Sequence, residues 1–272
     1  MFPKKRERSR IQFLFRVPSV FHLWLLTSEL KMPSIKIAVL NPSTVVPDAE
    51  VKAALPAFQS QVSDDFAPVW GIDASLRFVP SGSKPAAGEW WLSILDDSDQ
   101  AGALGYHDLT KEGLPLGKVF AKTDLTFGEN WTVTFSHELL EMLADPNINL
   151  TVFDESQGGG RLYAYEVCDP CQADQFGYKK NGVVLSDFVY PSWFEAFRAA
   201  SSTQFDYQKQ ITKPFQLLKG GYIGIYDVKS GSGWTQLTAE KVNFRARPPV
   251  GSRRERRTIP IEKRIKSAVR WK

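Results

Sequence analysis

The sequence predicts an α+β fold, and three features of the chain lead to this class. A strand pattern at residues 35–40 is followed by an amphipathic helix pattern that begins after Asp48. Further strand patterns lead to a second helix pattern at residues 131–144. Beyond residue 146 the chain turns to short strands separated by glycine and asparagine, which is typical of hairpins. We therefore expect a mixed sheet in a first lobe and an irregular, β-rich second lobe.

Hydrophobic periodicity defines the first elements after the initial strand. Apolar residues recur every three or four positions between residues 51 and 66, which predicts a helix. Pro68 and Gly71 should end this helix. Runs rich in aromatic and β-branched residues predict the next two strands, at residues 75–79 and 90–95.

The centre of the chain combines a glycine-rich connection with a helix. The connection spans residues 101–117 and leads into Lys118 to Lys122, where apolar and charged residues alternate as in an edge strand. Asn130 can then cap a helix that begins at Trp131. The pair Asp145-Pro146 should end it.

Turn residues organise the second half. The pair Asn181-Gly182 lies between two strand-like runs and predicts a two-residue hairpin. A strand is expected at residues 161–167 and a short helix at residues 193–199. A last hairpin is expected around Gly220-Gly221.

Composition is that of an ordinary globular protein. The 272 residues are 43% hydrophobic and 24% charged, which excludes collagen, a coiled coil and wholesale disorder. An uninterrupted apolar run of about 18 to 20 residues is missing, so we expect no membrane-spanning segment and no membrane partner. We predict one domain at residues 32–244, with a first lobe at 32–146 and a second lobe at 147–244.

Both ends of the chain are basic, whereas residues 32–244 carry a net negative charge. Residues 1–31 are interpreted as a disordered leader or an over-extended start, because a convincing first strand follows Met32. Their apolar patch is short and lacks a small-x-small cleavage site, so a cytoplasmic location is favoured over secretion. Residues 245–272 are expected to be a solvated, disordered tail, and nucleic acid is expected as a partner only through this tail.

The segment Ser136 to Pro146 carries the most chemical information. On a helix, residues four positions apart share a face, so His137 and Glu141 project together, with Glu138 beside them. This H-E-x-x-E pattern differs from the H-E-x-x-H motif of zinc peptidases at one position. His137 and Glu141 are therefore candidate metal ligands, and Glu138 is the candidate general base that takes a proton from metal-bound water.

A third ligand is expected from the second half of the chain. Glu166 is the first candidate, and Asp169 in the same segment is its rival. Asp145 is interpreted as a helix stop or as a partner of a ligand. Zinc is the expected metal. Because a carboxylate ligand makes the bound water less acidic, manganese and calcium are alternatives.

The whole order from Ile35 to Asp145 resembles the upper lobe of the zincin metallopeptidase superfamily. The chain also resembles a group of bacterial and phage proteins that share an S-H-E-x-x-E-x-x-x-D-P segment and an E-V-x-D-P segment. Here these segments are residues 136–146 and 166–170, with Gly105 to Thr110 upstream and Trp193-Phe194 downstream. The resemblance covers residues 33–244, and it implies a zincin-like fold and a metal site.

These observations favour a metal-dependent hydrolase, a zincin-like peptidase that acts on a peptide or protein substrate. The alternative is a non-catalytic binding or structural protein on the same fold, with or without a metal, which could be associated with phage. The glutamate in place of the second motif histidine fits either an adapted or a retired enzyme.

Three other side chains leave alternatives open. His107 lies in the glycine-rich connection, where it is either a plain loop histidine or a group that stabilises an oxyanion. Cys168 and Cys171 are the two cysteines of the chain, too few for a zinc ribbon. Plain thiols, a local disulfide and a thioredoxin-like pair are the interpretations that remain.

Overall fold

The computed structural model describes residues 35–100, 103–231 and 233–240. The predictions for residues 1–31 and 245–272 therefore lie outside the described residues. Within the described ranges, no helix is long and apolar enough to cross a membrane.

A five-stranded mixed sheet forms the first half. Its strands are β1 (Ile35–Leu40), β2 (Ala74–Val79), β3 (Trp90–Leu95), β4 (Gly105–Leu109) and β5 (Pro115–Phe120). They lie in the order β2-β1-β3-β5-β4. The first four strands in this order run parallel, whereas β4 pairs antiparallel with β5 at the end of the sheet. This mixture of helices and a mixed sheet confirms the α+β class.

The edge strand of this sheet differs from the one expected. Residues 118–122 do not form the edge, because β5 lies between β3 and β4 and all of its residues are buried. Lys118 tolerates this burial because its ammonium donates to Asp99 and to the hydroxyl of Tyr106, each at 2.5 Å. The edge is β4, which lies inside the predicted glycine-rich connection.

The first half has four α-helices in its described residues, of which the two longest were predicted from periodicity and the one at Ala121–Phe127 was not. They are α1 (Asp48–Ser60), α2 (Ala67–Trp70), α3 (Ala121–Phe127) and α4 (Trp131–Ala144). A π-helical turn, Gln61–Phe66, joins α1 to α2, and the helical path includes Pro68 and ends at Trp70, next to Gly71, in agreement with the predicted end at Pro68 and Gly71. Proline is tolerated there because Pro68 lies in the first turn of α2. Gly71 ends the path in the left-handed conformation, with φ of 70°.

The second half is built of short strands. A four-stranded antiparallel sheet contains β6 (Thr151–Asp154), β7 (Arg161–Ala164), β10 (Tyr222–Asp227) and β11 (Trp234–Thr238), and a separate hairpin contains β8 (Tyr178–Lys180) and β9 (Val183–Leu185). Asn181 and Gly182 form the turn of that hairpin with positive φ angles, as predicted.

Three predictions for the second half are wrong in detail. The strand that begins at Arg161 ends at Ala164. The predicted helix at residues 193–199 is a 3₁₀ turn at Pro191–Phe194. Gly220-Gly221 lies before β10 rather than inside a hairpin. A Cβ atom at Gly221 would lie 2.2 Å from the carbonyl oxygen of Pro170, so this glycine permits close contact between two backbones.

Helix α4 lies in the centre of the core. Its bounds agree with the sequence prediction, and every residue except Thr132 is buried. Phe135, Leu139 and Met142 pack in the main hydrophobic cluster. The face that carries His137 and Glu141 is buried as well, which makes α4 the support of a polar centre inside the protein.

Candidate metal centre

The helical pair predicted from the motif is present in α4. His137 and Glu141 are separated by one helical turn, and His137 Nε2 lies 3.3 Å from Glu141 Oε1. The Glu141 side chain has no solvent exposure and that of His137 is 10% exposed. Helix geometry alone accounts for this contact, because α4 runs without interruption from Trp131 to Ala144.

Asp169 joins this pair from the second half of the chain. It begins a 3₁₀ turn, Asp169–Cys171, and its Oδ1 lies 3.4 Å from His137 Nε2. The backbone N–H groups of Cys168 and Asp169 donate to Glu141 Oε1 at 3.3 and 3.2 Å. These two hydrogen bonds attach the 3₁₀ turn to α4. The Asp169 side chain at the start of this turn therefore lies next to His137.

The spacing of these ligand atoms fits one small cation. Nitrogen and oxygen ligands of zinc lie about 2.0 to 2.2 Å from the metal, so two ligands at a tetrahedral angle are about 3.3 to 3.6 Å apart. The separations of 3.3 and 3.4 Å from His137 Nε2 agree with that value. His137, Glu141 and Asp169 together form a buried group that could hold a metal ion.

Glu166, the first candidate for the third ligand, belongs to a neighbouring group. Its carboxylate and one atom each of His107 and Glu141 all lie within 4.8 Å of one another. The structure therefore brings Asp169, the rival candidate, to His137, and it brings Glu166 to Glu141 and His107. Both groups share Glu141, and all their members are buried.

His107 takes part in the centre although the sequence did not identify it as a ligand. It lies on β4, is fully buried, and its Nδ1 is 3.7 Å from Glu138 Oε2 and 3.9 Å from Glu141 Oε2. The segment Gly105 to Leu109 was interpreted as a loop because of its glycines. Its apolar residues, Tyr106 and Leu109, do not alternate with polar ones, so no periodic signal revealed the strand.

Glu138 lies where the centre meets a cleft. The cleft has a volume of about 350 Å³, and His137 and Glu138 are among its lining residues. Residues 103–105, the segment 172–174 and strand β11 contribute to its other walls. Glu138 itself is 3% exposed, so it reaches the cleft from an otherwise buried position.

Gly105 allows the sheet to approach Glu138 closely, and Gly117 leaves room for Leu92 on the neighbouring strand. A Cβ atom at Gly105 would lie 2.8 Å from Cγ and Oε1 of Glu138, and also 2.8 Å from Cγ2 of Thr134. A Cβ atom at Gly117 would lie 2.2 Å from a methyl carbon of Leu92. A side chain at position 105 would overlap α4, and one at position 117 would overlap Leu92 on β3.

The electrostatics of the centre favour positive charge. Burial alone would lower the pKa of His137, but the carboxylates of Glu141, Asp169 and Glu138 raise it well above its usual value. The same negative field attracts a metal cation. Asp145 lies at the end of α4, and its carboxylate accepts hydrogen bonds from the backbone N–H groups of Asn149 and Leu150, as expected of a helix stop.

The two cysteines are free thiols in the structure. Cys168 and Cys171 are both buried and form no disulfide. Burial raises the pKa of both thiols, and nearby carboxylates raise it further. Thiols that stay protonated are poor nucleophiles and poor metal ligands, so the plain-thiol interpretation agrees best with the structure.

Comparison of the chain with family profiles, with curated proteins and with solved structures finds no match. The chemistry of the centre must therefore be argued from its own side chains. Two histidines and four carboxylates converge on one helix turn at the base of a cleft. This arrangement can hold a divalent cation and present one carboxylate, Glu138, to a molecule in the cleft.

Proposed function

We propose that the protein is a metal-dependent hydrolase of the zincin type, a peptidase in which His137, Glu141 and Asp169 hold the metal. The observation that carries the proposal is the agreement of the ligand separations, 3.3 and 3.4 Å, with a single tetrahedral cation. The position of Glu138 beside this group and in the wall of a cleft supports it.

Zinc is the proposed metal, with manganese and calcium as alternatives. Tetrahedral spacing and a histidine ligand favour zinc, whereas calcium prefers six to eight oxygen ligands. When bound, the metal supplies Lewis acidity, which polarises a carbonyl group and makes a water molecule acidic. Two carboxylate ligands reduce that acidity, which increases the contribution required of the general base.

Glu138 is that base in the proposal. Its carboxylate accepts the proton of the attacking water and then donates it to the amine that leaves when the peptide bond breaks. Gly105 leaves room for Glu138 because any side chain at position 105 would overlap the carboxylate. Such a base contributes a factor of about 10² to 10⁴ to the rate.

An extended peptide is the substrate that the cleft wall favours. Strand β4 is the last strand in the order of its sheet, and residues 103–105 at its start line the cleft. An extended peptide that lies in the cleft along residues 103–105 would have its backbone aligned without a requirement for a particular sequence. In the proposal, the scissile bond of such a peptide lies close to Glu138.

The test compares three variants of the full chain with a mixture of internally quenched peptides as substrate. We expect Glu138→Gln to lose at least about 100-fold in activity while it retains its metal, and His137→Ala to lose both. Glu112→Gln, which changes an exposed turn residue, is the matched control and should behave as the wild type. Undiminished activity in Glu138→Gln would refute the mechanism. Metal binding without activity in the wild type would favour a binding protein.

A further inference from the structure

The carboxylate of Glu141 has two oxygens that face different partners. Oε1 lies 3.3 Å from His137 Nε2 and accepts the backbone N–H groups of Cys168 and Asp169. Oε2 lies 3.9 Å from His107 Nδ1. A carboxylate that directs one oxygen to each of two ligand groups has the geometry of a bridge between two cations.

The second group has the composition of a metal site. It consists of His107, Glu141 and Glu166, which are exposed by 0%, 0% and 3%. Two ligands of one zinc ion can be separated by at most the sum of their bond lengths, about 4.2 Å. The distance of 3.9 Å between His107 Nδ1 and Glu141 Oε2 lies within this limit. An imidazole and two carboxylates suit zinc or manganese.

The backbone explains why His107 points to this group. Alternate residues of a strand project from the same side of a sheet, so His107 shares a face with Gly105, whose Cβ position is directed at Glu138 on α4. Gly117 lies directly opposite His107 on β5 and adds no side chain beside the imidazole. The sheet thus directs His107 towards α4.

The charge of the centre also favours two cations. Four carboxylates, those of Glu138, Glu141, Glu166 and Asp169, are each no more than 3% exposed. Two divalent cations would balance the charge of these four carboxylates when all four are ionised and both histidines are neutral. Buried charge without compensation is strongly unfavourable.

We propose that the centre is dinuclear, with a second divalent cation held by His107 and Glu166 and with Glu141 as the bridging ligand. The proposal rests on the proposed function, because the first ion is the one held by His137, Glu141 and Asp169. The second ion neutralises the carboxylates behind Glu138 and fixes the orientation of Glu141. Bridged ions of this kind lie about 3.5 to 4 Å apart.

Metal stoichiometry tests the proposal. The full chain is loaded with excess Zn²⁺ or Mn²⁺, desalted and measured by elemental analysis. We expect about two equivalents in the wild type and in the control Glu112→Gln, and about one in His107→Gln and Glu166→Gln. One equivalent in the wild type, unchanged in His107→Gln, would overturn the second site and leave the first intact. No bound metal would overturn both.

A measurement on the wild type alone covers the case in which the variants fail to fold. Two Mn²⁺ ions bridged by one carboxylate are magnetically coupled, so their electron paramagnetic resonance spectrum differs from the six-line spectrum of isolated ions. A coupled spectrum at full loading supports the bridge through Glu141. A six-line spectrum that grows in proportion to bound manganese until the protein is saturated would refute it.

Discussion

Asp124 offers a test of the electrostatics around the cleft. Its side chain is fully buried in α3, and burial raises its pKa to about 7. The hydroxyl of Thr134, which donates to Asp124 at 2.8 Å, opposes this rise, whereas the negative charges of Asp174 and Glu129 add to it. Replacement of Asp124 by asparagine keeps the shape of the side chain and removes its ionisation.

The size of the effect follows from the difference between folded and unfolded states. The carboxyl group has a pKa of 3.8 in the unfolded chain and about 7 in the fold. Between these pH values it is therefore protonated in the folded state and ionised in the unfolded state. Its favourable contribution to the free energy of unfolding is fully present below pH 3.8 and is lost as the pH rises to 7. The free energy of unfolding falls by up to about 1.4 kcal/mol per pH unit, or about 4 kcal/mol in total.

The assay is urea unfolding of wild type and Asp124→Asn at pH 5 and pH 8, with the same metal content in both proteins. The stability gained by the variant should be about 3 kcal/mol larger at pH 8 than at pH 5, since most of the titration lies between these values. Asp97→Asn, whose side chain is 71% exposed, is the control. If the gain of Asp124→Asn is the same at both pH values, Asp124 is ionised in the fold and the reasoning fails.

Two further predictions concern a glycine and a carboxyl pair. Gly105→Ala should reduce peptidase activity at least about 10-fold and destabilise the fold by about 1 to 3 kcal/mol, because its methyl group overlaps Glu138; unchanged turnover would show that Glu138 can move without loss. Burial raises the pKa of Asp187, and its neighbour Asp206 raises it further, so Asp187 stabilises the fold at low pH and loses that stability as the pH rises. Asp187→Asn should therefore increase the melting temperature more at pH 9 than at pH 6, and an equal increase at both would contradict the raised pKa of Asp187.

Local patterns predicted those parts of the fold that local interactions determine. The bounds of α4, strand β3 and the Asn181-Gly182 turn follow from periodicity and turn chemistry, and all were found where expected. The position of the edge strand could not be predicted from the local sequence. Alternating charge at Lys118 suggested solvent, but Asp99 and Tyr106 provide hydrogen bonds to the lysine inside the fold.

In the candidate site, too, some contacts follow from the local sequence and others depend on the tertiary fold. The contact between His137 and Glu141 follows from helical spacing and needs no tertiary information. The choice between Glu166 and Asp169 depends on a 3₁₀ turn, which reverses the chain over three residues and cannot be located from spacing. His107 reaches Glu141 only because β4 pairs with β5 beside α4, an arrangement that no short segment encodes.

The glutamate that replaces the second motif histidine suits the position better than histidine would. A neutral imidazole has one acceptor nitrogen, whereas a carboxylate has two oxygens with several lone pairs. At position 141 one oxygen accepts two backbone N–H groups and also faces His137, while the other faces His107. Histidine could not do all of this, and the turn that carries Asp169 would lose its attachment to α4. The contacts of both oxygens therefore account for a carboxylate at position 141.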